Sequence, residues 1–168
     1  MSVKLFSVIV FIALVAPVAE SAETGGGPTV GQPSPSILGR TLDEKYYRLK
    51  QDTGKPKVIN FFWVNCIPCK KEMPELAILE KQHKGVKFIS VHTEDEKIET
   101  IVKFLKALPG APSNIVMTSG GVKEAFKYYG LPHTIILDSD NVVLMNLSGY
   151  TPENMRRLSS ALQQISKN

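Results

Sequence analysis

The chain has 168 residues, of which 43% are hydrophobic and 21% are charged, and its formal net charge is +4. This length suits one domain with a hydrophobic core, and the composition is ordinary for a globular protein. The Lys and Arg residues form no long basic run, so we expect no nucleic acid among the partners.

The N-terminus has the features of a secretory signal peptide, which we predict over residues 1–22. Lys4 and the terminal amine give a positive start, residues 5–19 carry no charge, and small residues follow at Ala19 and Ser21. The apolar run is shorter than the ~20 residues of a membrane-spanning helix, although an uncleaved anchor remains an alternative. We therefore expect a periplasmic or other extracytoplasmic location, where disulfides persist.

The next segment, residues 23–36, is predicted to be a flexible linker. It contains three consecutive glycines together with Pro28, Pro33 and Pro35. The folded domain is then predicted over residues 37–168, and its weakly patterned first part is expected to form an N-terminal hairpin or edge strands.

A short apolar run leads directly to the two cysteines of the chain. Residues 58–62 predict a buried strand, Cys66 and Cys69 follow, and a helix-like segment runs from Lys70 to His83. The start of a helix favours negative charge, and hence the reactive thiolate form of Cys66. A strand that ends in C-x-x-C before a helix is typical of a thiol–disulfide redox centre, which needs no cofactor beyond the cysteine pair.

Two other roles for the cysteines are open to test. A structural zinc site needs about four ligands, and His83, His92 and His133 are not paired with one another at ligand spacing, so we expect no metal. An inert disulfide is the second alternative, but a C-x-x-C bridge closes a very short loop and restricts the unfolded chain little. We interpret the three histidines as surface or hydrogen-bonded residues.

The remaining elements alternate between strands and helices. The turn at 138–141 is rich in Asp and Asn, which favours a hairpin, and Thr151 followed by Pro152 is typical of a helix start. The order predicts an α/β fold with a central mixed β-sheet flanked by helices and an N-terminal β extension. The predicted elements are strands at 87–91, 115–117, 134–137 and 142–147, a helix from Ile98 that ends at Pro109-Gly110, a helical face of Val122, Ala125, Phe126 and Tyr129, and a C-terminal helix from 151.

Two stretches of the chain carry a family resemblance. The sequence FFWVNCIPCKKEMPEL, with Gly54-Lys55-Pro56 upstream, and the later run GLPHTIILD resemble the thioredoxin-like TlpA/ResA group. These are extracytoplasmic thiol–disulfide oxidoreductases related to DsbE/CcmG, and the resemblance covers residues 30–166. It implies a thioredoxin-like fold. Asn65 and Phe62 stand where the group usually has Trp, and Trp63 stands where a small residue is usual, which leaves the reduction potential and the choice of partner open.

The resemblance implies catalytic roles for the residues of the first stretch. Cys66 would be the nucleophile and Cys69 the resolving thiol. Glu72, about one helical turn later, is either an exposed helix glutamate or a partly buried acid that moves the Cys69 proton, and the resemblance implies the second role.

The second stretch would contact the client. Pro132 is expected to be a cis-proline of the catalytic site, and the backbone of Leu131 would pair with an extended client strand. We also expect Trp63, Ile67 and Pro68 to contact the client, although Pro68 also fits the first turn of a helix without any such role.

The leading functional hypothesis is a reductase of specific client disulfides. The resemblance implies apocytochrome c or copper-site proteins as clients and a membrane thiol electron donor of the DsbD/CcdA type. The alternatives are a dithiol oxidase that introduces disulfides, or a non-enzymatic Cu(I)-binding or chaperone-like module, since soft thiolates suit Cu(I).

Overall fold

The computed structural model describes residues 26–166, so the predicted signal peptide lies outside the described residues. Within these described residues, seven strands form one mixed sheet in the order β2-β1-β5-β4-β3-β6-β7. The strands are β1 (Leu38–Thr41), β2 (Tyr46–Arg48), β3 (Lys57–Phe62), β4 (Lys87–His92), β5 (Asn114–Met117), β6 (His133–Leu137) and β7 (Val143–Ser148). The helices are α1 (Ile67–Gln82), α2 (Ile98–Lys106), α3 (Val122–Phe126) and α4 (Pro152–Ile165).

The sheet has a parallel centre and antiparallel ends. Strands β3, β4 and β5 run parallel, while β6 and β7 on one side and β1 and β2 on the other add antiparallel pairs. The mixed sheet flanked by helices is confirmed, as is the hairpin predicted at the N-terminal end of the domain.

Strand β3 is buried on both faces, as its apolar sequence predicts. Ile59 and Phe61 pack into a cluster with α3, whereas Val58 packs with α1 and α4 on the opposite face. Phe62, at the end of the strand, belongs to a third cluster that includes both cysteines and part of α2. The strand therefore carries the chain from the middle of the core to the cysteines.

The flexible linker predicted over residues 23–36 is wrong for its described part, which packs along β7. Gly31 N–H donates to the Val143 carbonyl (2.8 Å), and the Asn146 side chain donates to the Pro28 carbonyl. Gly27 has a φ of 118°, and a Cβ there would lie 2.6 Å from Asn146 Oδ1. The glycines permit close packing and left-handed backbone here, rather than flexibility. We call residues 26–34 the N-terminal strap.

The helical face predicted from Val122 to Tyr129 is also wrong in its second half. Helix α3 ends at Phe126, because Lys127 adopts a left-handed conformation with a φ of 54°. Tyr128 is then buried, while Tyr129 is 77% exposed. The 3–4 residue spacing of apolar side chains continues past the true end of the helix.

Two predicted boundaries are confirmed, one by the backbone conformation of a turn and the other by a capping hydrogen bond. Asn141 takes the left-handed conformation (φ 66°) in the turn between β6 and β7. Thr151 caps α4, since its hydroxyl accepts from the Asn154 N–H at 3.1 Å.

None of the helices between residues 26 and 166 is long and apolar enough to cross a membrane.

Candidate active site

The two cysteines form a disulfide at the start of α1. Their sulfur atoms are 2.05 Å apart and their Cα atoms 5.3 Å apart. Helix α1 begins at Ile67, three residues before the predicted helix-like segment, so Cys66 is the N-cap and Cys69 lies in the first turn. The Cys69 N–H donates to Cys66 Sγ at 3.2 Å, an arrangement that favours a thiolate at Cys66 in the reduced form.

The two sulfur-bearing residues differ in access. Cys66 is 9% exposed, whereas Cys69 is fully buried. A partner therefore reaches the pair at Cys66, which fits the nucleophilic role expected for it.

The surface beside Cys66 is mostly apolar. Ile67 is 69% exposed and Trp63 36% exposed, and Pro68 and Asn65 are exposed as well. The Trp63 carbonyl accepts from the Cys66 N–H at 3.0 Å and so fixes the turn between strand and helix. An exposed apolar rim of this kind suits contact with another polypeptide.

The loop before β6 lies against the cysteine cluster. The Leu131–Pro132 peptide bond is cis. The half-buried Leu131 packs against the apolar cluster that contains both cysteines. Pro132 is buried, and its carbonyl accepts from the Gly149 N–H at 2.9 Å. The structure thus brings together the two stretches that carry the family resemblance.

Glu72 is the buried acid of the site, with only 3% of its surface exposed. Asn60 Nδ2 donates to its Oε2 at 2.6 Å, and Thr134 Oγ1 donates to its Oε1 at 3.1 Å. Burial raises the pKa of Glu72 to about 7, while the hydrogen bonds from Thr134 and Asn60 act in the opposite direction and the charge of Glu75 raises it slightly further. Of the two alternatives for Glu72, the structure has the buried acid.

Asn60 and Thr134 were not identified as site residues from the sequence. They are register partners on the antiparallel strands β3 and β6, and Asn60 Nδ2 also donates to Thr134 Oγ1 at 3.0 Å. The available signal was a single amide inside the apolar run at 58–62, since a buried polar side chain needs a partner.

The histidines have separate environments. His133 is fully buried and stacks on Tyr128 with ring centroids 5.3 Å apart, so of the two interpretations given for it, surface or hydrogen-bonded, the surface one is wrong. Burial lowers its pKa to about 4, which leaves the ring neutral at neutral pH. His92 Nδ1 lies 3.0 Å from the Glu94 carbonyl oxygen, and His83 Nδ1 lies 3.0 Å from Ser166 Oγ.

Comparison with known proteins gives matches along most of the chain. The profile of the Redoxin family matches residues 29–165. The thiol-disulfide oxidoreductase ResA of Bacillus thuringiensis subsp. konkukian is 28% identical over 141 residues, which cover 81% of this chain and 78% of that protein. ResA of Bacillus subtilis is 28% identical over 127 residues, covering 74% and 70%.

Solved structures share the fold. A protein of Chlorobium tepidum described as a DsbE thiol:disulfide interchange protein has a TM-score of 0.74 at 20% identity, over 82% of this chain and 98% of that one. The thio-disulfide isomerase of Thermus thermophilus has a TM-score of 0.65 at 24% identity, over 82% and 97%. The thioredoxin-like fold predicted from the sequence is confirmed.

Proposed function

Because the chain belongs to the Redoxin family, we propose that it is a thiol–disulfide oxidoreductase that reduces specific client disulfides through Cys66 and Cys69. One observation carries the proposal: a disulfide joins Cys66, which is slightly exposed (9%), to Cys69, which is fully buried one helical turn from a buried acid. With a pKa of about 7, Glu72 can both take up and release a proton near neutral pH.

The reaction begins with the reduced pair. The Cys66 thiolate attacks one sulfur of the client disulfide, forms a mixed disulfide, and releases the other client sulfur as a thiolate. Cys69 then gives its proton to Glu72 and attacks Cys66 Sγ. This step breaks the mixed disulfide, closes the Cys66–Cys69 bond and leaves the client with two thiols once its thiolates take protons from water. Two electrons pass from the enzyme dithiol to the client.

The client is held beside Cys66 by surface and backbone groups. Trp63, Ile67 and Pro68 supply exposed apolar contact area, and the backbone of Leu131 pairs with an extended client segment next to Pro132. Hydrogen bonds to a client backbone do not depend on the client sequence. The exposed side chains of Trp63, Ile67 and Pro68 therefore determine which clients bind.

The clients we propose are proteins that must keep free thiols outside the cytoplasm, such as apocytochrome c or copper-site proteins. A membrane thiol donor of the DsbD/CcdA type returns the oxidised enzyme to the dithiol form. This assignment is supported by the resemblance to the TlpA/ResA group, by relatives named ResA, and by the signal-like sequence at residues 1–22. The cysteine pair is then the whole redox cofactor.

The order of the two thiols is tested by trapping. In Cys69→Ser, the mixed disulfide between Cys66 and a client peptide cannot be resolved, so a covalent adduct is expected to accumulate on non-reducing gels and in mass spectra. In the matched variant Cys66→Ser, the buried Cys69 is expected to give little adduct. Equal adduct from both variants would contradict the assignment of Cys66 as the nucleophile.

A further inference from the structure

Two buried polar side chains, Asn60 and Thr134, donate hydrogen bonds to the Glu72 carboxyl group near the cysteine pair. We propose that Asn60 and Thr134 are positioning residues that orient the Glu72 carboxyl group and stabilise its ionised form, so that Glu72 can release a proton inside the core. The inference deepens the proposed function and rests on it, because that function gives Glu72 a proton to exchange with Cys69.

Three hydrogen bonds link Asn60, Thr134 and the Glu72 carboxylate, so that each of the three side chains is bonded to the other two. The two N–H groups of Asn60 serve Glu72 Oε2 (2.6 Å) and Thr134 Oγ1 (3.0 Å). Thr134 Oγ1, having accepted from Asn60, directs its own hydrogen to Glu72 Oε1 (3.1 Å). Each carboxylate oxygen therefore faces a donor, which matches the ionised form, since a carboxylate only accepts.

These donors act against the other influences on the carboxyl group. Burial disfavours the charge, and Glu75, one turn further along α1, disfavours it as well. Tyr150, which faces this side from the loop before α4, gives its hydroxyl to Glu75. Within residues 26–166, the influences that favour the ionised form are the hydrogen bonds from Thr134 and Asn60.

An amide at position 60 also suits the protonated form. Asn60 Oδ1 is buried and has no hydrogen-bond partner within the described part of the chain. Half a turn of the amide exchanges its nitrogen and oxygen, and places Oδ1 where it can accept from a protonated Glu72 Oε2. One side chain then serves both protonation states, because an amide has both a donor and an acceptor.

The test is a pH titration of the Glu72 carboxyl carbon by NMR in the oxidised protein, together with the reduction potential as a function of pH. Thr134→Val removes one donor and is expected to raise the titration midpoint of Glu72 by about one pH unit. The pH at which the plot of reduction potential against pH changes slope is expected to rise by the same amount. Asn60→Leu is expected to shift both in the same direction. Thr134→Ser keeps the hydroxyl and is expected to restore both values.

Ser90→Ala is the matched control. Ser90 is fully buried and is the register partner of Asn60 on β4, but it makes no hydrogen bond to Glu72, so this variant is expected to titrate like the wild type. Identical midpoints in Thr134→Val, Thr134→Ser and the wild type would overturn the inference. If Glu72→Gln keeps the wild-type pH dependence of the potential, the proposed proton step fails instead, and the NMR midpoints still decide the roles of Asn60 and Thr134.

Discussion

Glu72 shows how one side chain acquires its properties from residues far away in sequence. The C-x-x-C-x-x-E spacing predicts a glutamate one turn after Cys69, and helical periodicity places it there. Its two partners come from β3 and β6, which are 74 residues apart at Asn60 and Thr134. That pairing depends on the order of strands in the sheet, which a local sequence pattern does not contain. The acid could therefore be predicted, whereas the groups that hold it could not.

Burial of Glu72 should make the stability of the oxidised protein depend on pH. Its pKa is about 7 in the folded protein, against an ordinary value of 4.5. Between these values the folded state keeps a proton that the unfolded state has lost, so the contribution of Glu72 to stability falls as pH rises. The loss is absent below the unfolded pKa and complete above the folded one, with a total of about 3 kcal/mol.

Glu72→Gln tests this dependence because it stays neutral at every pH. The difference in free energy of unfolding in urea between Glu72→Gln and the wild type is expected to grow in favour of the variant from about pH 5 to about pH 8, because the opposite contribution of the buried His133 is common to both proteins. Glu99→Gln, an exposed position in the first turn of α2, should retain the wild-type slope. A wild-type slope in Glu72→Gln would mean that another group is responsible.

At the scale of elements, the sequence predicts best where one physical signal dominates. The apolar run of β3 is buried on both faces, and the cap at Thr151 starts α4. The sequence does not predict the strap, because glycine occurs both in flexible linkers and in backbone that packs closely with positive φ. Helix α3 was overextended because the left-handed backbone at Lys127 has no sequence signal of its own.

The strap gives a test by matched glycine substitutions. In Gly27→Ala, the new Cβ would lie 2.6 Å from Asn146 Oδ1 at a φ of 118°, so we expect a loss of unfolding free energy of about 2 kcal/mol or more. In Gly31→Ala, the φ of 80° is also positive but no atom lies within 4 Å, so about 1 kcal/mol is expected. Equal losses in urea unfolding would show that the strap does not pack as described.

The overall fold could be predicted from the sequence, because the pattern of strands, the pattern of helices and the family motifs all indicate the same architecture. The mixed sheet and the meeting of the C-x-x-C helix with the Leu131–Pro132 loop were predicted. The client and the electron donor are proposals, because their identity depends on the surfaces of other proteins. On this protein, the polar Asn65 beside Cys66 makes the surface around the cysteine pair differ from the TlpA/ResA pattern.

The direction of electron flow is the central claim, and the reduction potential of the Cys66–Cys69 pair tests it most directly. The protein would be equilibrated in dithiothreitol or glutathione buffers, and its oxidised fraction measured by thiol alkylation. We predict a value near or below about −230 mV, in the range of thioredoxin and glutaredoxins, where the dithiol reduces clients and needs a donor. A value near about −120 mV, as in a strong oxidant, would contradict the account and make the protein a dithiol oxidase.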